Sequence, residues 1–462
     1  MNAATPSVTA RPGATALVTC VLAALAGLMF GLDIGVISGA TQFIQAEFGI
    51  PDDTIEWIVS AMMFGAAVGA AAAGWMSNAL GRKRSLQLGA ALFVVGSLLC
   101  GMAPSPSSLI VARFVLGLAI GLAAFAAPLY LAEVAPEDTR GAMISLYQLM
   151  ITIGILVAFL SDTAFSYSGS WRWMLGIIAL PGILFLLGLV LLPDSPRWLL
   201  MRNRREEALQ VLARLRRDPQ LVAREAADIE EQLRTPQTGW RLFLENANFR
   251  RSVFLGIMLQ LVQQFTGMNV VMYYAPRIFH DMGYDTASQM WFTAIVGATN
   301  VLATFIAIAW VDRWGRKPIL YVGFAVMALG LGVVGTLMDG GIAGRAQQLV
   351  AVGMLLLFIV GFAMSAGPLI WVLCSEIQPL KGRDFGIACS TVTNWIANMA
   401  VGATFLSLLN GIGHAATFWL YAALNLAFIG LTWALVPETS GVTLEQVERK
   451  LMRGVRLRDI GR

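Results

Sequence analysis

A group of amide and phenol side chains lies within an apolar stretch that is long enough to cross a membrane. The group comprises Gln263, Gln264, Thr266, Asn269, Tyr273 and Tyr274. An amide buried in hydrocarbon without a partner costs roughly 2 to 7 kcal/mol, so this many polar groups indicate a polar cavity or ligand. Amides both donate and accept hydrogen bonds, which suits neighbouring hydroxyls, whereas a phosphate or carboxylate would call for Arg or Lys. The group therefore predicts a site for a neutral, hydroxyl-bearing ligand.

Membrane helices must position this site. Hydrophobic residues make up 57% of the 462 residues and charged ones only 13%, well below the roughly 25% of a soluble domain. Apolar runs of about 20 residues predict twelve spanning helices. Their approximate ranges are 15–38, 55–79, 86–103, 107–133, 141–163, 172–192, 251–279, 288–311, 318–338, 346–375, 385–410 and 415–435. Because no run alternates as a barrel strand does, we expect an all-α membrane protein.

The distribution of basic residues predicts the topology. With a cytoplasmic N-terminus, 28 of the 32 Lys and Arg residues fall in cytoplasmic segments. The positive-inside rule therefore predicts a multi-pass protein with both termini in the cytoplasm. The net charge of +4 reflects this topology and does not indicate a partner nucleic acid. The four cysteines lie in predicted spans and show neither disulfide nor metal-ligand spacing, so we expect no metal or cofactor.

Three short motifs recur in order along the chain. They are Gly81-Arg82-Lys83 with Gly315-Arg316-Lys317; Glu133, Pro136 and Arg140 with Glu376, Pro379 and Arg383; and Pro193-Asp194-Ser195 with Pro437-Glu438-Thr439. Such a repeat predicts two pseudo-symmetric six-helix bundles with a substrate between them. We place the bundles at residues 1–195 and 251–436, a cytoplasmic helical linker at 196–250 and a cytoplasmic tail at 437–462. A gating role and a purely solvated linker are both open for 196–250.

The charged residues of these motifs suggest gates. Any single basic loop is explained by anchoring at the membrane surface, but repetition at fixed offsets favours cytoplasmic ion-pair latches that hold the halves together. Each Glu is expected to pair with the Arg seven residues later. The proposed gating residues are Arg82, Glu133, Arg140, Arg316, Glu376 and Arg383.

Several motifs together resemble the sugar porter family of the major facilitator superfamily, and the resemblance covers nearly the whole chain. They are the Gly-Arg-Lys loops, Pro193-Asp194-Ser195-Pro196-Arg197-Trp198, the run from Gln263 to Asn269, Gly367-Pro368 before Trp371, and Pro437-Glu438-Thr439. The resemblance implies a major facilitator fold of twelve helices that moves a monosaccharide. It also implies a sugar site at Gln148, Gln263, Gln264, Asn269, Tyr273, Asn300, Trp371, Asn394 and Trp395.

The chemistry of these residues agrees with that site. Amides can form paired hydrogen bonds to ring hydroxyls, and an indole offers an apolar face to the C–H surface of a sugar. Other roles are open: Trp371 and Trp395 as packing aromatics, and Gln148 and Asn300 as hydrogen-bond partners between helices.

The helix that carries the amide group needs a break. At about 100° per residue, Gln263 and Gln264 share a face from which Asn269 and Tyr273 point away. A break near Gly267 would bring them to one ligand, and interrupted helices are typical of transporter sites. Gly367-Pro368 predicts a second break just before Trp371.

Asp33 is the acid that the sequence places well inside a span and away from the cytoplasmic ends. It lies about eighteen residues into the first helix, in its outer half, and a carboxylate at that depth predicts a functional site. Arg113, in the fourth helix, is its expected partner. A static ion pair is one reading, and a proton-coupling pair is the other. In the family that the chain resembles, an acid here accompanies proton symport, whereas facilitators commonly carry an amide.

We therefore expect a secondary active transporter of the bacterial inner membrane that imports a monosaccharide with a proton by alternating access. D-Galactose or D-glucose is the expected sugar. The alternatives are an arabinose– or xylose–proton symporter, a proton-independent facilitator and a sugar sensor. An enzyme is disfavoured because the sequence has no phosphate loop, nucleophile with a base, or metal cluster. The expected partners are the sugar, the proton and the lipid bilayer.

Overall fold

The fold consists of membrane-spanning helices. The computed structural model describes residues 14–136, 140–216, 218–234, 239–342, 344–440, 442 and 444–461. Within these residues the chain forms helices and no β-strand, and twelve segments are long and apolar enough to cross a membrane. The prediction of an all-α protein with twelve spans is confirmed.

The N-terminal half supplies six spans. They are α1 (Ala14–Phe48), α2 (Asp52–Leu80), α3 (Arg82–Gly101), α4 (Pro106–Val134), α5 (Arg140–Ser166), and the pair α6 (Trp171–Gly176) and α7 (Ala179–Leu191). Helix α4 begins where the Ser105 side chain accepts from the Ser108 amide and Pro106 occupies the first helical position. Sequence-local signals thus set its start.

Four short helices follow: α8 (Pro196–Met201), α9 (Arg205–Arg216), α10 (Pro219–Leu233) and α11 (Gly239–Glu245). Arg216 donates to the carbonyls of Val134 and Ala135 at 2.9 and 3.2 Å, which satisfies the last turn of α4. In α11, the ring of Phe243 lies 5.4 Å from that of Phe385 in the C-terminal half. We call the end of the bundle that carries α8–α11 the linker end, and the opposite end the far end.

The C-terminal half supplies the other six spans, three of them broken. The helices are α12 (Ala247–Phe265), α13 (Met268–Asp281), α14 (Thr286–Trp314), α15 (Arg316–Asp339), α16 (Arg345–Met364), α17 (Ala366–Glu376), α18 (Arg383–Gly402), α19 (Phe405–Ile412) and α20 (His414–Leu435). The pairs α12/α13, α16/α17 and α18/α19 form the seventh, tenth and eleventh spans. Helix α21 (Leu444–Met452) follows in the tail.

Glycines bring helices within each half into backbone contact. Helix α1 carries Gly27, Gly31, Gly35 and Gly39 at intervals of four, and this row packs against α5. A Cβ added at Gly31 would overlap the carbonyl oxygen of Ile151. Small residues at this spacing allow close helix packing in membranes, where dispersion forces drive association. Each half is therefore a tightly packed unit.

Helix α1 is longer than predicted. It continues ten residues past the expected end at residue 38, so Asp33 is the twentieth of its 35 residues and lies near the middle instead of the outer half. Past residue 38 the helix is less apolar: Thr41 donates to the Ser38 carbonyl at 3.0 Å, and Gly39 packs against Asp162. The backbone nevertheless continues as a helix past residue 38.

Hydrogen bonds between the two halves cluster at the far end. Among the described residues, the Ser407 amide donates to Glu56 at 2.8 Å, and Asn410 donates to Asp52 at 2.9 Å. A third contact joins α5 to α14, where the Thr163 hydroxyl lies 3.3 Å from the carbonyl of Met290. The halves are therefore held together at this end of the seam.

Candidate functional site

The seventh span breaks at the predicted position. Helix α12 ends at Phe265, and Gly267 adopts φ = 94°, a left-handed conformation that favours glycine. A Cβ at this position would also lie 3.0 Å from the Tyr421 ring. Across the break, Asn269 donates to the Oε1 atom of Gln264 at 2.6 Å. The break thus brings together two amides that an unbroken helix would separate.

Gln263 connects three helices. Its Nε2 atom donates to the carbonyls of Ala366 and Gly367, both at 3.0 Å, and its Oε1 atom accepts from Asn394 at 2.8 Å. These bonds join α12 to α17 and α18. The protein itself therefore engages Gln263, which positions the neighbouring elements in this conformation.

The tenth span breaks two residues before the predicted Gly367-Pro368. Ser365 has the non-helical angles φ = −129° and ψ = −92°, and α17 starts at Ala366. Pro368 then falls in the first turn of α17, where its missing N–H is not needed. The new helix carries Trp371, whose side chain is 38% exposed.

Two polar residues of the site were missed from the sequence. Gln260 accepts from Asn394 at 2.6 Å, and Asn398 donates to the hydroxyl of Tyr273 at 3.0 Å. Tyr273 is fully buried, so the structure directs its hydroxyl into the contact between α13 and α18. The signal was present: Gln260 precedes Gln263 by three residues and Asn398 follows Asn394 by four, which places each pair on one helix face.

Other predicted site residues lie on helices that meet at the seam between the halves. Gln148 is on α5 and Asn300 on α14; these helices pack closely, since a Cβ at Gly297 would lie 3.1 Å from the Cα atom of Leu156. Trp395 faces Phe30 of the N-terminal half, with ring centroids 5.3 Å apart.

The amides of Gln148 and Asn300 differ from those around Gln263. Within the described part of the chain, neither side chain has a protein hydrogen-bond partner. Donors and acceptors are therefore available on both sides of the seam.

Asp33 and Arg113 form the predicted pair. The Nη1 atom of Arg113 lies 2.5 Å from the Oδ1 atom of Asp33, and both side chains are fully buried. Among the described residues, the second carboxylate oxygen and the Nε and Nη2 atoms of Arg113 have no hydrogen-bond partner. Removing the charge of either residue would leave the other charge buried and uncompensated.

Asp33 is not the only buried acid. Glu56 of α2 and Asp162 of α5 are also buried, each within five residues of a helix end. Glu56 accepts from Ser407 across the seam, and Asp162 accepts from the Gly39 amide at 3.0 Å. Neither acid was singled out from the sequence. Packing of the neighbouring helices buries them.

The motif glutamates have other partners than predicted. Glu133 pairs with Arg82 at 2.9 Å and accepts from Ser195. Glu376 pairs with Arg316 at 3.2 Å and accepts from Thr439 at 2.5 Å. Both pairs lie within one half, so in this conformation they are not bonds between halves.

The predicted pairing of Glu376 with Arg383 is therefore wrong for this conformation. The chain turns through a 3₁₀ segment, Leu380–Gly382, so Arg383 begins α18 and donates to the Gln378 carbonyl at 3.4 Å. Spacing along the chain did not reveal this turn. The side chain of Arg140 lies outside the described residues.

Two helical bundles with an amide-lined seam between them define a membrane transporter. The chain matches the family model described as "Sugar (and other) transporter" over residues 19–451. It therefore belongs to this family of transporters, and the resemblance to the sugar porters is confirmed.

Known proteins extend this similarity. The chain is 65% identical over 443 residues to the galactose-proton symporter of Escherichia coli (strain K12), covering 96% of each chain. It is 57% identical over 445 residues to the arabinose-proton symporter of the same strain, covering 96% of this chain and 94% of that one. A solved structure of the major facilitator superfamily proton:xylose symporter XylE, bound to 6-bromo-6-deoxy-D-glucose, is 31% identical with a TM-score of 0.80. That match covers 94% of this chain and 98% of the other.

Proposed function

We propose that this protein is a secondary active transporter that moves a monosaccharide together with a proton by alternating access. The observation that carries the proposal is a polar seam, with free amides on α5 and α14, beside a buried Asp33–Arg113 pair. The polar seam can bind a neutral, hydroxyl-bearing substrate, and the Asp33–Arg113 pair can bind and release a proton. The names of the related symporters support the same combination.

The sugar is proposed to bind between the halves. Gln148, Asn300 and Gln264 offer amides, and Trp371 offers a partly exposed indole face. Asn269, Asn394 and Trp395 complete the proposed site, while Gln263 and Tyr273 are bonded to the protein in this conformation and would contact the sugar only after releasing those bonds. Hydroxyls can use both the donor and the acceptor of each amide. D-Galactose is the first candidate because the 65% identical relative is named for it; D-glucose, arabinose and xylose follow.

Asp33 is proposed to carry the proton. Protonation of Asp33 would remove the charge that Arg113 pairs with, and deprotonation would restore the pair. The contact between α1 and α4 would therefore weaken when the proton binds and strengthen when it leaves. The driving force is sufficient. A potential of about 100 mV supplies about 2.3 kcal/mol per charge, enough for roughly a 40-fold gradient of a neutral sugar.

The linker end is proposed to face the cytoplasm of a bacterium, with both termini on that side and the protein in the inner membrane. This orientation places 28 of 32 basic residues inside. The far-end contacts of Glu56 and Asp52 with α19 then describe an inward-facing state. Arg82–Glu133 and Arg316–Glu376 would shape the cytoplasmic gate within each half, while Arg140 and Arg383 would bind across the seam when that gate closes.

Uptake into energised vesicles tests the proposal. A panel of labelled D-galactose, D-glucose, L-arabinose and D-xylose is measured with and without a pH gradient, for the parent, Asp33→Asn and the exposed-surface control Asp228→Asn. We expect accumulation and proton uptake by the parent and the control. Asp33→Asn should bind and exchange sugar without concentrating it.

Each alternative has its own outcome. A parent that equilibrates sugar without a gradient is a facilitator, and one that binds sugar without moving it is a sensor. If Asp33→Asn still concentrates sugar, another group couples the proton.

A further inference from the structure

A second polar cavity lies between the halves at the far end. It has a volume of about 300 Å³, which is within the range of small-molecule sites. Its polar lining includes Thr41, Gln42, Gln45, Asp52, Arg277 and Gln289. These residues come from α1, α2, α13 and α14, so both halves contribute. None of them belongs to the sugar site described above.

Tyr274 separates this cavity from the central amides. It lines the cavity, and its hydroxyl donates to the carbonyl of Gly402 at 2.8 Å, which fixes α13 to α18. Along α13, Tyr274 lies between Asn269 of the central site and Arg277 of the cavity. The two polar regions are therefore distinct.

Three polar atoms of the lining lack hydrogen-bond partners among the described residues. They are the Oε1 atom of Gln289, the Nε2 atom of Gln42 and the Nε atom of Arg277. Gln289 is only 2% exposed, and its Nε2 atom is held by the Tyr284 carbonyl at 2.7 Å, which fixes the orientation of the amide. An unpaired buried polar group costs about 1 to 3 kcal/mol, so a ligand that displaces the atoms covering these groups and pairs with them would gain binding energy.

The charges of the cavity compensate one another. Asp52 lies 3.7 Å from Arg277 and also accepts from Gln45 and Asn410, at 2.7 and 2.9 Å. A second carboxylate, Asp281, lies 3.6 Å from the Nε atom of Arg277. An anion in the cavity would meet Asp52, and a cation would meet Arg277. The lining favours a neutral molecule whose hydroxyls both donate and accept.

We propose that this cavity is a second monosaccharide site, open toward the far side while the central site faces the linker end. This inference rests on the proposed transport of a monosaccharide. The occupant would contact Gln42 of one half and Gln289 and Arg277 of the other. Because it binds the closed far end, it stabilises the inward-facing state and slows the return of the empty carrier.

Protection of a cysteine tests the site directly. Ala46 is exposed and lines the cavity, so Ala46→Cys introduces a thiol beside the site. The detergent-purified protein is labelled with a maleimide at increasing D-galactose, and modification at position 46 is followed by peptide mass spectrometry. At twice the dissociation constant, two thirds of the sites are filled, so the labelling rate should fall about threefold.

Variants in the Ala46→Cys background separate the two sites. Gln264→Ala, in the central site, should leave the half-protecting concentration unchanged. Gln289→Leu should abolish protection, and Gln42→Leu, from the other half, should raise the half-protecting concentration at least several-fold; two variants are used in case one folds poorly. Calorimetry on the same samples should show that the Gln289→Leu and Gln42→Leu variants still bind D-galactose at the central site.

Either of two kinds of result would overturn the second site. One is a parent that binds D-galactose by calorimetry but shows no protection of position 46. The other is protection that disappears with Gln264→Ala, or protection that survives both Gln289→Leu and Gln42→Leu. In either case a conformational change, and not a ligand in the cavity, would explain the protection. Failure of the proposed function is distinguishable: the parent would then transport no monosaccharide of the panel, whatever the labelling shows.

Discussion

Two adjacent glutamines of the seventh span have different surroundings. Gln263 is bonded to carbonyls of α17 and to Asn394, whereas among the described residues the side chain of Gln264 accepts one hydrogen bond, from Asn269. The first amide is committed to holding helices, and the second retains donors for a ligand. We therefore expect substitutions of Gln263 and Gln264 to have different effects, although both residues are glutamines.

Gln264→Ala should weaken sugar binding by about 1 to 3 kcal/mol, because a buried hydroxyl of the sugar loses its partner. Isothermal titration calorimetry measures the change. Gln210→Ala removes an exposed amide of α9 and serves as the matched control. Unchanged affinity in a normally folded Gln264→Ala protein would show that this amide does not bind sugar.

Gln263→Ala should instead lower stability. The carbonyls of Ala366 and Gly367 and the amide of Asn394 would each lose one hydrogen bond, at a net cost of about 0.5 to 1.5 kcal/mol per bond. Thermal unfolding in detergent, compared with Gln264→Ala, measures the difference. Equal melting temperatures for the two variants would contradict the assignment of Gln263 as the residue that holds the broken helices.

At the scale of helices, the glycine row of α1 sets the distance to α5. Gly27, Gly31, Gly35 and Gly39 all face α5, and the same kind of contact joins Gly117 of α4 to α2. Side chains cannot enter these contacts without moving a backbone. The spacing was visible in the sequence, but the partner helix was not.

Gly31→Leu should misassemble the N-terminal half or destabilise it by about 1 to 3 kcal/mol or more, since overpacking forces backbone shifts. Gly353→Leu adds the same side chain at an exposed position with open space and should be tolerated. The monodisperse fraction in size-exclusion chromatography and the thermal midpoint compare them. Equal behaviour would mean that α1 and α5 do not pack as closely as described.

Sequence predicted the elements better than their contacts. The twelve spans and the break at Gly267 depend on local polarity and backbone chemistry, which a single chain displays. Asp33 and Arg113 were matched by depth. The partner of Glu376 and the burial of Glu56 depend on which helices pack together at the end of the bundle. Those contacts are set by the tertiary arrangement and leave no periodic signal.

For the whole molecule, the far-end contacts control which side is open. The Ser407 hydroxyl donates to Glu56 at 2.5 Å across the seam, and this bond must break before the halves separate there. A hydrogen bond to a charged group contributes about 1.5 to 3 kcal/mol.

Ser407→Ala should therefore shift the equilibrium about 10- to 150-fold toward the far-side-open state. Spin labels at Asp53→Cys and Gly411→Cys, both at exposed positions on opposite halves, measure the far-end distance distribution. Ser168→Ala removes a hydroxyl that bonds only within its own half, to the Phe165 carbonyl, and should leave the distribution unchanged. If both variants match the parent, this bond does not hold the gate.

The close packing of each half makes it rotate as a rigid body. Helix α2 has 29 residues and is about 44 Å long, so turning it by about 15° around its midpoint moves its two ends about 6 Å in opposite directions. Since backbone contact prevents α2 from bending independently of α4, widening one end narrows the other. A continuous pore would require a half to flex against its own glycine contacts. The tight packing within each half thus prevents both ends from opening at once, so protons cannot leak through a continuous pore.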